Sequence, residues 1–344
     1  MAYVQPNFTK FHNKIRLSDS NANAKLREKR EIIVEALRAG LNKHADDGGK
    51  NLTFSHFNQG SYAIGTGIMP KDGDYDIDVG IIFDNSADDF DHAVELKKIV
   101  RDAVETNGRN VKIRRPCVTV TYLKDGETDY HVDLAIYVET DSDDLNLAVG
   151  RESSSGDQIY WELSDPKGLT KKIKDLHSGD DAKQFRRCIR YLKKWRDYKF
   201  SGSGAPVGIG LTCAAYEHFS PTKYDGEYSD LRATKTLVSS MLNESDSGAG
   251  RIVAKLPVRP WNDLFDEMTD TQMNTFVEKL RSLEDALEDA RDEASVKEAC
   301  KTLNGQFGPD FEVPDDDPGK KGGPRGTAKT SATAPFVPTG SSAR

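Results

Sequence analysis

Two aspartates, Asp76 and Asp78, stand two residues apart at the start of the apolar run Ile77 to Phe83. Successive side chains of a β-strand point to opposite faces, so these two carboxylates project together while Ile77 and Val79 point into the core. Carboxylates held side by side repel each other unless a cation binds between them. Hard oxygen ligands of this kind suit Mg²⁺ or Mn²⁺.

A third carboxylate, Asp133, is predicted to lie beside this pair. The segment Val111 to Leu123 has the pattern of a strand, residues 124–126 carry the Asp-Gly signal of a hairpin turn, and Tyr130 to Val138 is the predicted returning strand. Apolar residues alternate with Asp133 in that strand, so it lies on the opposite, polar face with His131. Three convergent acids predict a pair of divalent ions, ~3.5–4 Å apart, as in two-metal phosphoryl transfer.

A glycine-serine turn precedes the acids. Gly60 and Ser61 follow the predicted strand Phe54 to Phe57 and are expected at the start of a helix. Backbone N–H groups there, together with a serine hydroxyl, can bind triphosphate oxygens. A Gly-Ser turn or an Asp-x-Asp pair alone is ordinary in loops. The order of turn, paired acids, hairpin and single acid on the matching face predicts the active site of a nucleotidyltransferase.

These residues resemble a known superfamily, the polymerase-beta-like nucleotidyltransferases. The surrounding sequence resembles one branch of it, the bacterial cGAS/DncV-like nucleotidyltransferases, which make cyclic di- or trinucleotide second messengers in anti-phage defence. The matching segments are Gln59-Gly60-Ser61-Tyr62, Asp74-Tyr75-Asp76-Ile77-Asp78 and His131-Val132-Asp133-Leu134. The resemblance implies an α+β fold, in which a mixed sheet with flanking helices and a C-terminal helical domain form a cleft between two lobes.

The resemblance also implies roles for individual residues. The three acids would bind the two metal ions and catalyse the transfer, and residues 59–61 would bind the phosphates of the donor nucleotide. A lysine on the predicted helix Ala182 to Tyr198 would reach the donor triphosphate. Lys193 matches that position best, and Lys194 stays an alternative. Near the start of the next predicted helix, many relatives have a serine that contacts phosphate or base. This chain has Gly208 and Gly210 instead, so backbone N–H groups or Thr212 are expected to substitute.

The remaining periodicity predicts the elements around the site. Helices are expected at Ala24 to Leu41 and Asp88 to Glu105, a polar loop at Thr140 to Gly156, and one or two helices within Trp261 to Ala290. Residues 1–165 are predicted to form the catalytic lobe with its N-terminal helix, and residues 166–313 the helical lobe.

Residues 314–344 differ in composition from the rest of the chain. They are rich in Pro, Gly, Lys and Ser and cannot bury enough apolar surface to offset chain entropy, so disorder is expected. In some relatives the C-terminus is attached to other molecules by a ubiquitin-like conjugation system. The resemblance therefore adds such machinery as an expected partner of this tail, with an inert tail as the alternative.

The overall composition is that of a soluble enzyme. Hydrophobic residues make up 36% of the 344 residues and charged residues 30%, which allows a sizeable core. No apolar run approaches the roughly 20 residues of a membrane span, and the N-terminus lacks a signal peptide, so a cytoplasmic protein without a membrane partner is expected. The net charge of −8 argues against nucleic acid as a general partner.

We therefore expect an enzyme that joins nucleoside triphosphates such as ATP and GTP into a cyclic nucleotide, which a downstream effector then binds. Three alternatives stay open. A transferase that modifies a protein, an RNA end or an antibiotic would use the same acids. A non-catalytic nucleotide-binding module would normally have lost one acid, and a structural protein would have no use for a cluster of repelling carboxylates.

Overall fold

The computed structural model describes residues 2–17, 20–69, 75–106, 109–124, 127–140, 142, 144–202, 204–247 and 250–315. Within these ranges, the side chains of residues 20–26, 75, 76, 123, 124 and 127–129 lie outside the description. The predicted disordered tail also falls outside it from residue 316 onward.

Most of the first half of the chain folds around a mixed sheet. In the described residues its strand order is β1-β2-β5-β4-β3, and β6 pairs with the end of β5 and with β7. Strands β2 and β5 are parallel, and the other pairs are antiparallel. The strands are β1 (Phe54–Asn58), β2 (Tyr75–Phe83), β3 (Arg109–Ile113), β4 (Val118–Lys124), β5 (Glu127–Glu139), β6 (Leu145–Val149) and β7 (Tyr160–Ser164).

Helices flank the sheet and make up nearly all of the second half of the chain. They are α1 (Gln5–Ile15), α2 (Ser20–Asp46), α3 (Gly60–Ile64), α4 (Ala93–Val104), α5 (Pro166–Asp175), α6 (Gly179–Lys199), α7 (Gly208–His218), α8 (Asp230–Ser247), α9 (Asp270–Asp292) and α10 (Val296–Phe307). A small hairpin of β8 (Lys223–Tyr224) and β9 (Glu227–Tyr228) precedes α8. Among the described residues, no helix has the length and apolar character that crossing a membrane requires.

One face of the central strands is apolar and fully covered. Val79 of β2 and Val132 of β5 are buried in a core cluster that also includes Leu37 of α2 and Leu96 of α4. Because side chains alternate along a strand, the residues between these apolar positions lie on the other face of the sheet. The predicted alternation around Asp133 is confirmed, since its even-numbered neighbours all lie in this core.

Three sequence-based assignments require correction. The predicted strand Val111 to Leu123 is two strands, β3 and β4. Pro116 has no N–H to donate to a strand pairing, and the chain turns there, where the N–H of Arg114 donates to the carbonyl of Cys117. The predicted loop Thr140 to Gly156 contains β6, whose pairing with both β5 and β7 was not visible in its short sequence. The helix predicted from Asp88 begins at Ala93, after His92 caps it.

The helices of the second half share a separate core cluster. It includes α1, whose Phe8 and Phe11 rings each lie 5.1 Å, centroid to centroid, from the ring of Phe311 near the end of the described chain. Phe11 also stacks on Tyr191 of α6 at 5.4 Å. The first helix thus packs with the helical half, whereas α2 packs on the sheet. The proposed lobe boundaries at residues 165 and 313 stay predictions.

Lys97 is a buried cation that ties α4 to the turns of the sheet. Its ammonium group donates to the backbone carbonyls of Arg114, Arg115 and Gly150 at 2.6, 2.9 and 2.8 Å. Burial lowers the pKa of Lys97 to about 8. One side chain therefore donates to three carbonyls from two separate loops and joins both loops to α4.

Replacing Lys97 with Met should lower the free energy of unfolding by about 3 kcal/mol, because buried carbonyls lose their only cationic partner. Lys98→Met, on the half-exposed neighbouring position, is the matched control and should change stability by less than about 0.5 kcal/mol. Urea denaturation of both variants measures the difference. Equal stability of the two variants would contradict this role.

Candidate active site

The parallel pairing of β2 and β5 brings two of the predicted acids together. The Cα atom of Asp78 is the register partner of that of Asp133, and Asp76 is paired with His131. Asp78 and Asp133 therefore lie on neighbouring strands and on the face opposite the apolar core. The side chain of Asp76 lies outside the described residues, so its convergence with the other two acids stays a prediction.

The two carboxylates form an electrostatically strained pair. Burial, and next the negative charge of Asp133, raise the pKa of Asp78 to about 6, whereas the charge of Lys193 and the backbone N–H of Ser61 act to lower it. Asp133 accepts a hydrogen bond from Thr119 Oγ1 at 2.5 Å. Adjacent carboxylates of this kind suit a hard divalent cation. Among the described side chains there is no group of three or more metal-ligating acids, histidines or cysteines.

The turn between β1 and α3 is fitted closely against Asp78. Gly60 has a φ of +65°, and a Cβ atom there would overlap Asp78 Oδ2, so the position admits only glycine. The Gln59 N–H donates to the Asp78 carbonyl at 3.2 Å, and the Gln59 side chain accepts from Tyr137 Oη at 3.1 Å. Residues 59–61 are thereby fixed beside the acidic strand.

Helix α6 holds the turn that follows α3. Arg190 donates from Nη2 to the carbonyl of Gly65 at 2.6 Å and from Nε to that of Gly67 at 3.2 Å. Lys193 donates from Nζ to Thr66 Oγ1 at 3.2 Å. Gly65 has a left-handed φ of +77°, which directs the chain from α3 toward α6. Two cations from one helix therefore fix three consecutive residues; we call this contact the α6 grip.

The α6 grip extends to the predicted phosphate-binding serine and to α1. The Thr66 N–H donates to the Ser61 carbonyl at 2.9 Å. On the other side, Arg190 Nη1 lies 3.2 Å from His12 Nε2. Burial, followed by the charge of Arg190, lowers the pKa of His12 to about 4. His12 is therefore neutral near pH 7, and its Nε2 can accept the hydrogen bond from Arg190.

A cavity of about 530 Å³ opens between this turn and the helical half. Five of the predicted site residues line it, namely Gln59, Gly60, Ser61, Asp78 and Lys193. Asp133, the register partner of Asp78, is not among its lining residues. The cavity is large enough for a small-molecule ligand, and both acidic and basic side chains line it.

The structure distinguishes between the two candidate lysines. Lys193 is buried in the cavity wall, and burial, followed by the charges of Arg196 and Arg190, lowers its pKa to about 8. Lys194 points elsewhere and forms an ion pair with Asp310 at 2.5 Å. Of the two, Lys193 is placed to meet a ligand in the cavity.

The start of α7 provides another part of the cavity wall. Gly208 and Thr212 line the cavity, and Thr212 Oγ1 donates to the carbonyl of Gly208 at 2.9 Å. Gly210 instead packs against the ring of Phe265, where a Cβ atom would clash. Packing against Phe265 therefore explains why residue 210 is a glycine, whereas Gly208 lines the cavity.

Two family models match this chain. The model for the nucleotidyltransferase domain of cyclic GMP-AMP synthase DncV-like proteins matches residues 54–137, and the model for the cyclic GMP-AMP synthase C-terminal domain matches residues 182–317. Together they span well over half of the chain. The chain belongs to the cGAS/DncV-like nucleotidyltransferase family. It is accordingly a nucleotidyltransferase of the cyclic-oligonucleotide synthase class.

Solved structures show the same fold as this family member. Vibrio cholerae DncV cyclic AMP-GMP synthase is 20% identical, with a TM-score of 0.68 over 88% of this chain and 96% of that one. The same enzyme with the linear intermediate 5' pppA(3',5')pG gives a TM-score of 0.67 at 21% identity, covering 88% and 95% of the two chains. Escherichia coli DncV bound to 3'-deoxy GTP gives 0.68 at 19% identity, covering 87% and 93%.

Neither Arg190 nor His12 was among the predicted site residues. Arg186, Arg190 and Lys193 form a basic stripe along the predicted helix Ala182 to Tyr198. This stripe was a signal for Arg190, although such a run of charge is more often a solvated helix face. His12 gave no signal, because its partner is far along the chain.

Arg190→Met should reduce kcat roughly tenfold to a hundredfold, because the turn that orients Ser61 loses its fixed position. Arg186→Met, one helical turn earlier and half-buried, is the matched control. Arg190→Lys should recover activity only in part, since an ammonium cannot reproduce the fork that reaches two carbonyls.

Steady-state kinetics of pyrophosphate release, with circular dichroism to confirm folding, measures this effect. A folded Arg190→Met variant with the kcat of the Arg186→Met control would show that the α6 grip does not position the site.

Proposed function

We propose that this enzyme is a metal-dependent nucleotidyltransferase that joins ribonucleoside triphosphates into a cyclic di- or trinucleotide and releases pyrophosphate. The observation that carries the proposal is that Asp78 lines a cavity together with Ser61 and the buried Lys193, and is paired with Asp133 on the neighbouring strand. Neighbouring carboxylates and an opposing cation are the groups that phosphoryl transfer requires. Family membership supports the same reaction.

We assign the divalent ions to the acids Asp76, Asp78 and Asp133. The raised pKa of Asp78 supports this assignment, because burial, and next the charge of Asp133, disfavour the charged form that a bound cation would stabilise. Two bound Mg²⁺ or Mn²⁺ ions would supply positive charge that lowers the pKa of an acceptor hydroxyl and stabilises the leaving pyrophosphate.

The protein's own groups orient the donor. Ser61, whose backbone N–H bonds to Asp78 of β2, would present its hydroxyl to the triphosphate. Lys193 would contact the same phosphates from α6, in a buried position where its charge interacts more strongly than in water. Such fixed groups lower the barrier of phosphoryl transfer mainly by orientation and electrostatics.

Formation of a ring requires the same site to act twice. The first transfer would join two nucleotides, and the linear product would then turn around so that its own triphosphate becomes the donor. The site for both steps would be the cavity between the sheet and the helical half. A linear intermediate bound to the similar Vibrio cholerae enzyme supports this order of events. We infer ATP and GTP as substrates, with a cyclic GMP-AMP-like product.

The biological setting is part of the proposal. Family resemblance supports a cytoplasmic enzyme of anti-phage signalling, whose cyclic product activates a downstream effector protein. It also supports attachment of the tail, residues 314–344, by ubiquitin-like conjugation machinery. An enzyme that transfers a nucleotide to a protein, an RNA end or a small molecule is the alternative that the assay below separates.

Incubation of the purified enzyme with the four ribonucleoside triphosphates and Mg²⁺ should give a phosphatase-resistant cyclic product, identified by mass spectrometry. Asp78→Asn should abolish that product because one carboxylate of the site is lost, while Asp84→Asn, at the exposed position directly after β2, should retain activity. Removal of divalent ions with EDTA should also abolish it. Pyrophosphate release without any cyclic product would favour the alternative acceptor, and full activity of Asp78→Asn would reject the site.

The two adjacent lysines of α6 provide a second test. Lys193→Met should lower kcat/KM about a hundredfold, because a buried cation that meets the phosphates is lost. Lys194→Met should change kcat/KM less than about threefold, since Lys194 pairs with Asp310 away from the cavity. Initial rates over a range of donor concentrations measure both values. Equal effects of the two substitutions would contradict the role given to Lys193.

A further inference from the structure

A second cavity, of about 280 Å³, lies on the helical half away from the active site. It is formed by the N-terminal residues, the β8–β9 hairpin and the first turn of α8. We call it the tyrosine groove, and its defining residues are Tyr3, Gln5, Tyr224, Tyr228, Arg232 and Arg291. None of these residues belongs to the active-site cavity.

The tyrosine groove exposes large aromatic rings to solvent. Tyr3 is 64% exposed and Tyr224 is 51% exposed, which places both among the most exposed large apolar side chains of the described residues. The guanidinium carbon of Arg232 lies 4.0 Å from the centroid of the Tyr224 ring. Tyrosine and arginine are the residue types enriched at the energetic centres of protein interfaces. The groove therefore has the composition of a peptide-binding surface.

The walls of the tyrosine groove are fixed in place. The hydroxyl of Tyr228 donates to Asp181 of α6 at 2.5 Å, which anchors the β8–β9 hairpin. On the other wall, the N–H of Ala2 donates to the carbonyl of Glu293 at 2.6 Å. A groove with fixed walls can bind a peptide without first paying the entropy of its own ordering.

The C-terminal tail starts near this groove. The carbonyl of Asp315, the last described residue, accepts a hydrogen bond from Lys297 at the start of α10. Lys297 follows Glu293 by four residues, and Glu293 is the residue that binds Ala2 at the edge of the tyrosine groove. The described chain therefore ends beside Lys297 at the start of α10, six residues along the chain from the groove residue Arg291.

The sequence of the tail contains one segment with the chemistry that such a groove binds. Pro335, Phe336, Val337 and Pro338 form a Pro-x-x-Pro pattern and hold most of the large apolar side chains beyond residue 315. Proline-rich segments of this pattern dock on grooves lined by aromatic rings. The roughly 20 residues that precede Pro335 would span about 25 Å as a coil, which is enough to cross one face of a domain.

We propose that residues 335–338 bind in the tyrosine groove of the same chain. The exposed rings of Tyr3 and Tyr224 would provide the contact surface for this segment. The apolar segment of the tail would then cover the exposed rings of the groove. This proposal does not depend on the nucleotidyltransferase reaction.

A photo-crosslinking benzophenone residue placed at Phe336 of the full-length enzyme tests the proposal. After irradiation and proteolysis, mass spectrometry should find crosslinks to residues 2–5 or 224–232. A probe at Thr330, outside the Pro-x-x-Pro segment, is the control and should give no such preference. Crosslinks spread over the surface, or none at all, would overturn the proposal.

Two further variants sharpen the result. Tyr224→Ala together with Tyr3→Ala should reduce the crosslink yield by about fivefold or more, because the aromatic anchors are lost. Tyr198→Ala, at a tyrosine that is 47% exposed outside the groove, is the matched control and should leave the yield unchanged. A mixture of isotopically heavy and light protein distinguishes crosslinks within one chain from crosslinks between two chains. Crosslinks between heavy and light chains would show a second copy as the occupant and would contradict the proposal.

Discussion

The α6 grip is the contact on which the rest of the active site depends. Arg190 and Lys193, three residues apart and on one face of a helix, fix the carbonyls and hydroxyl of residues 65–67. That turn in turn holds Ser61, and Ser61 donates to Asp78 on the acidic strand. The helical core and the sheet therefore meet at the point where the substrate phosphates are proposed to bind. A shift of α6 would displace the serine, the lysine and the cavity wall together.

The charges of the site favour ligand binding over stability of the empty enzyme. Asp78 and Asp133 repel each other on adjacent strands, and burial disfavours the charged form of Lys193. Positions that oppose the ordinary preferences of charged groups are common at functional sites, where a ligand supplies the missing charge. Divalent ions would satisfy the acids and a triphosphate would satisfy the lysine. We infer that nucleotide and metal ions stabilise this enzyme against unfolding.

The sequence predicted the parts of the structure that depend on local periodicity. Alternation of apolar residues placed Asp133 on the correct face of β5, and the basic stripe on α6 was visible in the spacing of its residues. Contacts between distant segments were not predictable in this way. The choice between Lys193 and Lys194 depends on Asp310, and the position of α1 depends on Phe311, both far along the chain. Strand β6 was missed because five residues between two polar loops carry too weak a pattern.

The most direct test of this account is a crystal structure of the enzyme with Mg²⁺ and a triphosphate that carries a non-hydrolysable bond between its α- and β-phosphates. The account predicts that the triphosphate lies between Ser61 and Lys193, with the ions bound to Asp78, Asp133 and Asp76. It also predicts that Arg190 keeps its hydrogen bonds to residues 65 and 67. A triphosphate bound away from Lys193, or ions bound to other carboxylates, would contradict it.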